Sequence, residues 1–197
     1  MKYLVISFLF FSQSLFAQET PTTFWNNRCD FKTDGTGKSL GLKIKLSFPC
    51  SWKQADGERP HVVKKFSYGF PNGSMTIQTM TINKMDETPA KAEIDAMFSQ
   101  AGLKELCKNI GTFISGRKLK IDGLDCGEIT YKMTRDNPVG KLYLYGLQYY
   151  FVYQDKLIVL AFSVGSTTDE TSNTMFESYK ILFKGLASST VFLSKWE

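Results

Sequence analysis

Any chemistry in this 197-residue chain has to be assembled from few parts. Gly37-Lys38-Ser39 resembles the end of a phosphate-binding loop, where backbone N–H groups at a helix N-terminus cradle phosphate. Such a loop needs a glycine five residues before Gly37, and Lys32 stands there. An alternating strand pattern follows it rather than a helix, so the reading is a surface turn. His61 is the single histidine. It follows Pro60 in a polar stretch, and no Gly-x-Ser-x-Gly segment offers it a nucleophile. One histidine also excludes a histidine-rich zinc site. Asp122, Asp125 and Glu128 are spaced by three. That spacing clusters carboxylates on a helix but scatters them on a hairpin, so neither an acid–base pair nor a calcium loop follows. Tyr143, Tyr145, Tyr149 and Tyr153 share one face of a strand. Uncovered, they could stack on sugar rings or grip a partner. The preferred reading buries them beneath a helix with their hydroxyls at its margin, because the apolar helix stripes need a partner surface.

Cys29, Cys50, Cys107 and Cys126 are the four cysteines. None is close to another in sequence, so the paired spacing of a metal site is missing. In an exported chain an even count reads as disulfides in preference to free buried thiols, and three pairings are open. The expected set is Cys29–Cys50, which flank the first hairpin, and Cys107–Cys126, which join the stripe of a short helix to a strand beneath it. Export is read from the start of the chain. Lys2, an apolar run from Tyr3 to Phe11 and the small residue Ala17 describe a secretory signal over residues 1–17. A membrane anchor is the rival, but the run is short for a span. Removing the signal leaves 23 basic and 19 acidic residues, net +4. The cations are scattered, which argues against a nucleic-acid partner.

The elements that position these residues follow from hydrophobic periodicity. Lys141 to Gly165 reads as two long strands joined at Gln154-Asp155, apolar on both faces and so covered on both. Leu40–Phe48, Val62–Phe70, Ser74–Ile82, Arg117–Ile121 and Leu124–Thr134 read as further strands. Asn72-Gly73 and Asp122-Gly123 form the hairpin turns. On the last of these strands, Leu124 and Cys126 oppose Ile129, Tyr131 and Met133 in parity. A bulge at Gly127 would reconcile them. Thr88-Pro89 opens a helix to Ala101 that Gly102 ends, and Leu103, Leu106, Cys107 and Ile110 continue its stripe. A last helix spans Asp169–Lys184, with Phe176, Leu182 and Phe183 inward. Residues 18–28 read as a loose segment anchored by Trp25, and 29–197 as a single domain. The fold class is α+β, an antiparallel sheet with helices packed on its faces.

A strand running into Phe-Pro-x-x-Trp (Phe48, Pro49, Trp52), then Ile-Asp-Gly (Ile121, Asp122, Gly123), then a Tyr-rich hairpin and a last helix with Phe176 and Phe183 form an ordered set. It resembles PsbP-like domains, the superfamily that also holds the bacterial DcrB-like exported proteins. The likeness covers residues 31–193. It implies an α/β/α sandwich and accessory or binding roles with differing partners. The function expected is therefore a non-catalytic binding or accessory protein, periplasmic or secreted. It would need no cofactor or metal, and its partner would be a protein or envelope component. The candidate contact region is Trp52, His61, Lys64 and Lys65, where a strand end meets a polar loop. The alternatives are a hydrolase with an unrecognised site and a binder of a small apolar ligand.

Overall fold

A strand apolar on both faces must lie inside a sheet that is covered on both sides, and the central hairpin does so. In a computed structural model of the chain, residues 19–138 and 140–196 are described; the expected signal at residues 1–17 lies outside them. The elements are α1 (Pro21–Asn26), β1 (Arg28–Lys32), β2 (Ile44–Pro49), β3 (Lys53–Asp56), β4 (Val62–Gly69), β5 (Met75–Lys84), α2 (Lys91–Met97), α3 (Gln100–Cys107), β6 (Thr112–Ile121), β7 (Leu124–Asn137), β8 (Gly140–Tyr153), β9 (Lys156–Ser166), α4 (Asp169–Ser188) and β10 (Val191–Phe192). Strands β3-β4-β5-β9-β8-β7-β6 form one sheet in that order, and β1-β2-β10 form a second, three-stranded sheet. Every pairing is antiparallel. The fold is the expected α+β arrangement.

Two hydrophobic clusters explain the layering. On one face of the large sheet, Leu147, Tyr149, Phe151, Leu160, Phe162 and Phe66 pack against Phe176, Phe183 and Leu186 of α4 and against Leu46 and Phe48 of β2. Phe48 stacks on Phe66 at 4.3 Å, and Phe162 on Phe183 at 5.4 Å. Tyr145, Tyr149 and Tyr153 of β8 lie on the α4 side of the sheet with their hydroxyls at its margin. Tyr145 donates to Asp169 at 3.0 Å, Tyr149 to Glu128 at 2.8 Å and Tyr153 to the Ser194 carbonyl at 3.1 Å. On the opposite face, Phe98, Leu103 and Cys107 of the α2–α3 region cover Ile129, Tyr131, Tyr150 and Val152.

Several expectations are corrected. The segment read as loose carries α1, capped by the Thr20 side chain. Phe24, 1% exposed, is its buried anchor, while the half-exposed Trp25 ring lies against Gly185 of α4. Leu40 precedes its strand and takes a left-handed backbone (φ 48°), so β2 begins at Ile44. Val62 faces away from Phe66, because the register of β4 shifts between Val62 and Lys64. The expected single helix breaks at Phe98, and Ser99 caps α3 by accepting from the Gly102 N–H at 3.1 Å. Gly102 therefore lies inside a helix instead of ending one.

No bulge occurs at Gly127, since β7 pairs with β8 in continuous register. The parity conflict disappears because Cys126 faces α4 while Ile129 and Tyr131 face α3. Gly127 lies under α3, where a Cβ would sit 2.6 Å from Leu103 Cδ2 and 2.8 Å from Phe98 Cδ1. Both side chains are fully buried, so neither can yield freely. Gly127→Ala is expected to cost about 2 kcal/mol by overpacking, read as a fall in the urea midpoint at unchanged slope. Unaltered stability would show that α3 rides loosely on the sheet.

The same parity decides the cysteines. Cys29 is bonded to Cys50. The expected Cys107–Cys126 bond is not formed, and both residues are free and buried. Cys107 packs in the α3 cluster and Cys126 in the α4 cluster, so the sheet itself lies between the two thiols.

Candidate functional site

The helices do not cover the large sheet equally. α2 and α3 pack over β6, β7 and the adjoining part of β8. Beyond them the same face bears a groove of about 570 Å³ across β4, β5, β9 and β8. Register builds its floor. Lys65 pairs with Thr79, Thr79 with Ala161, and Ala161 with Gln148, forming one cross-strand row. In the next row Ile77 pairs with Ser163, and Ser163 with Gly146. Side chains on one row share one face, and short ones leave the floor low.

Two walls rise from that floor. On one side the loop after β3 brings Glu58, Arg59 and His61, with Lys65 below them. On the other stand Tyr131, Ile110 and Arg135. Gly146 permits the second wall, because a Cβ there would lie 2.4 Å from the Tyr131 ring. The ring leans over that glycine toward the groove. Gln148 Nε2 lies 3.5 Å from the Tyr131 hydroxyl oxygen, and the Tyr150 hydroxyl donates to Gln148 Oε1. Burial raises the pKa of both tyrosines, so both hydroxyls stay protonated at neutral pH and serve as donors.

Of the residues picked from sequence, His61 and Lys65 line the groove. Lys64 does not. It lies on the other side of β4, pairs with Asp56 at 2.8 Å and sits over the Phe31 ring. That contact holds the Asp56 carboxyl below its usual pKa, by the Lys64 hydrogen bond first and its charge second. Trp52 is excluded as a contact residue. It is 2% exposed and packs edge-on against Phe24 at 5.7 Å. The turn after β2 folds its indole inward, leaving Nε1 without a partner among the described residues. Tyr131, Arg135, Gln148 and Arg59 were not anticipated. Gln148 was the available signal, as a polar residue on the α3-side face of an otherwise apolar strand.

Cys107, Cys126 and Glu128 lie in the core, away from the groove. Burial raises the pKa of both Cys107 and Cys126, so at neutral pH they are thiols and not thiolate nucleophiles. Glu128, 6% exposed, faces α4. It accepts from Arg117 Nε at 2.8 Å and from the Tyr149 hydroxyl, so it is engaged within the core. Among the described residues no group of His, Cys, Asp and Glu could hold a metal ion. No described helix is long and apolar enough to cross a membrane.

No protein-family profile matches the chain, and no curated protein matches it by sequence. Solved structures do. The solution structure of PsbP (CyanoP) from Synechocystis sp. PCC 6803 aligns over 84% of this chain and 92% of that one, with 16% identity and a TM-score of 0.54. LpqN of Mycobacterium tuberculosis, described as involved in cell envelope biogenesis, aligns over 89% and 98%, with 15% identity and a TM-score of 0.46. The Ran-binding protein Mog1p of Saccharomyces cerevisiae aligns over 84% and 95%, with 14% identity and a TM-score of 0.42. The first of these overlays most of both chains and shows the fold alone: the chain has the PsbP-like fold.

Proposed function

We propose that this is a non-catalytic binding or accessory protein acting outside the cytoplasm, and that it grips a protein or envelope component in the open groove of its large sheet. One observation carries the reading: a rigid sheet is covered on half of one face and left bare on the other half, between two polar walls. Exposed concave surface on a rigid scaffold is where binding residues gather. An enzyme needs a nucleophile, a base and an orienting group within hydrogen-bond reach. Among the described residues His61 stands on an exposed loop with no hydrogen bond to a nucleophile or carboxylate, and the two thiols are buried away from it. The Cys29–Cys50 bond and the leader-like start support an oxidising compartment. The fold itself is neutral, since one fold hosts many functions.

The test is capture from the host's envelope fraction by the immobilised, disulfide-bonded protein. Filling the groove with Thr79→Arg should reduce recovery of the partner by about tenfold. Lys104→Glu, on the exposed side of α3, should leave it intact. Equal recovery by wild type and Thr79→Arg would sink the groove as the contact. So would turnover on an esterase, glycosidase or peptidase panel that a single groove substitution abolishes.

A further inference from the structure

We propose that the occupant of the groove is an extended acidic segment of a partner protein, lying across the sheet from the Lys65 wall to the Arg135 wall. The inference rests on the groove reading above and names the chemistry of its ligand. Three observations carry it.

The first is hydrogen-bond bookkeeping. Gln148 Oε1 is occupied by the Tyr150 hydroxyl, which leaves the Gln148 amide N–H groups with one long contact, at 3.5 Å, to Tyr131. That contact uses the Tyr131 oxygen as acceptor, so its O–H is left to donate, and the residue is 4% exposed. Tyr131 and Gln148 both line the groove. The inner wall therefore offers donors without acceptors. A buried donor without a partner is costly, and a ligand made only of acceptors, such as a carboxylate, relieves that cost.

The second is charge. Lys65, Arg59 and Arg135 line the groove, and none has an ion pair among the described residues. Asp56 is already engaged by Lys64 at 2.8 Å, which leaves Glu58 as the opposing carboxylate. The lining thus carries a surplus of positive charge that a neutral ligand would not match.

The third is size. β4 and β7 are four strand steps apart in the sheet, about 19 Å at the usual spacing, and Arg135 lies six residues along β7 from Ile129, the residue that continues the Lys65 row, or about 20 Å along the strand. A single small carboxylate reaches one wall. An extended chain of about eight residues, running diagonally over the strands, reaches both, and the short side chains of Thr79, Ala161 and Ser163 leave it a low bed.

Fluorescein-labelled octaglutamate, with octaglutamine and octalysine as comparisons, tests this by anisotropy and by amide chemical-shift mapping on the full oxidised protein. Octaglutamate should bind, and should shift the amides of Thr79, Ala161 and Gln148. Lys65→Glu and Arg135→Glu should each weaken it about tenfold, and Gln148→Leu, which keeps the charge, by a smaller factor. Lys104→Glu makes the same charge change away from the groove and should alter binding less than about twofold. Shifts elsewhere, or equal losses in the groove variants and Lys104→Glu, overturn the proposal. It is also overturned if phosphatidylglycerol vesicles engage these residues while octaglutamate does not, because the ligand is then a membrane surface. If octaglutamate fails while Thr79→Arg still abolishes envelope capture, the acidic assignment is wrong and the groove stands. If both fail, the groove reading falls first.

Discussion

Replacing Phe183 by alanine is expected to lower the unfolding free energy by about 4 kcal/mol, near the upper part of the range for large-to-small changes at aromatic core sites. Phe183 is fully buried. It stacks on Phe162 at 5.4 Å and lies within 6.5 Å of both Phe176 and Tyr179. It is thus the ring through which α4 is seated on the central strand β9. Its removal leaves a void whose walls are other rings, which cannot collapse into it without leaving their own contacts. Set against a usual total of about 5–15 kcal/mol, the loss leaves a protein near its folding threshold. Ile181 is the internal control. It lies on the same helix two residues earlier but is 76% exposed, so Ile181→Ala should change stability by less than about 0.5 kcal/mol. Urea unfolding of the two variants followed by tryptophan fluorescence measures both. A loss below about 2 kcal/mol at Phe183 would mean that α4 is not the principal cover of this face.

The parts of the fold legible from sequence are those in which one residue type has one physical use. The apolar hairpin from Lys141 to Gly165 has to be interior, and β8 and β9 are. Asn72-Gly73 and Asp122-Gly123 have to turn, and Gly73 and Gly123 both take positive φ (79° and 74°), as does Asp122 (50°). Two of the departures arise where glycine has two uses. Sequence parity predicts a bulge at Gly127, and helix-end chemistry predicts a stop at Gly102. Both are instead points of close approach, Gly127 beneath Leu103 and Phe98, and Gly102 against the carbonyl oxygens of Ala96 and Met97 at 2.3 and 2.4 Å from a built Cβ. Sequence periodicity cannot tell a glycine that bends its own strand from one that admits a neighbour. The groove was hidden for a different reason. It is defined by the strands that α2 and α3 leave bare, and the extent of a helix over a sheet is a tertiary fact. Its floor is partly visible as the polar positions Gln148 and Ser163 on the largely apolar β8 and β9. Trp52 and Lys65 are grouped by sequence because a strand end meets a polar loop there, yet Trp52 turns into the core and Lys65 onto the opposite face of the sheet.

Reduction of the Cys29–Cys50 bond is expected to destabilise the folded protein by about 3 kcal/mol, the loop-closure entropy of a bond with this span. The bonded residues are 21 apart in sequence, so the bond restricts the unfolded chain while adding little to native contacts that pairing already supplies. Those contacts are the β1–β2 ladder, in which Cys29 lies opposite Phe48, and Phe48 is stacked in the core. In a domain of this size the change corresponds to a fall in Tm of about 6–12 °C. Calorimetry with and without dithiothreitol measures it, and the Cys29→Ser/Cys50→Ser pair should unfold at the temperature of the reduced protein and ignore the reductant. Cys107→Ala/Cys126→Ala separates the alternatives. Because those thiols lie on opposite faces of the sheet, this pair should retain the full response to dithiothreitol. Alkylation of the unreduced, denatured wild type should then modify Cys107 and Cys126 and spare Cys29 and Cys50. A wild type whose Tm does not respond to reductant, or whose Cys107 resists alkylation when denatured, would contradict the assignment of one bond and two free thiols. It would also remove the structural support for the proposed oxidising compartment, because a disulfide that persists is a mark of such compartments.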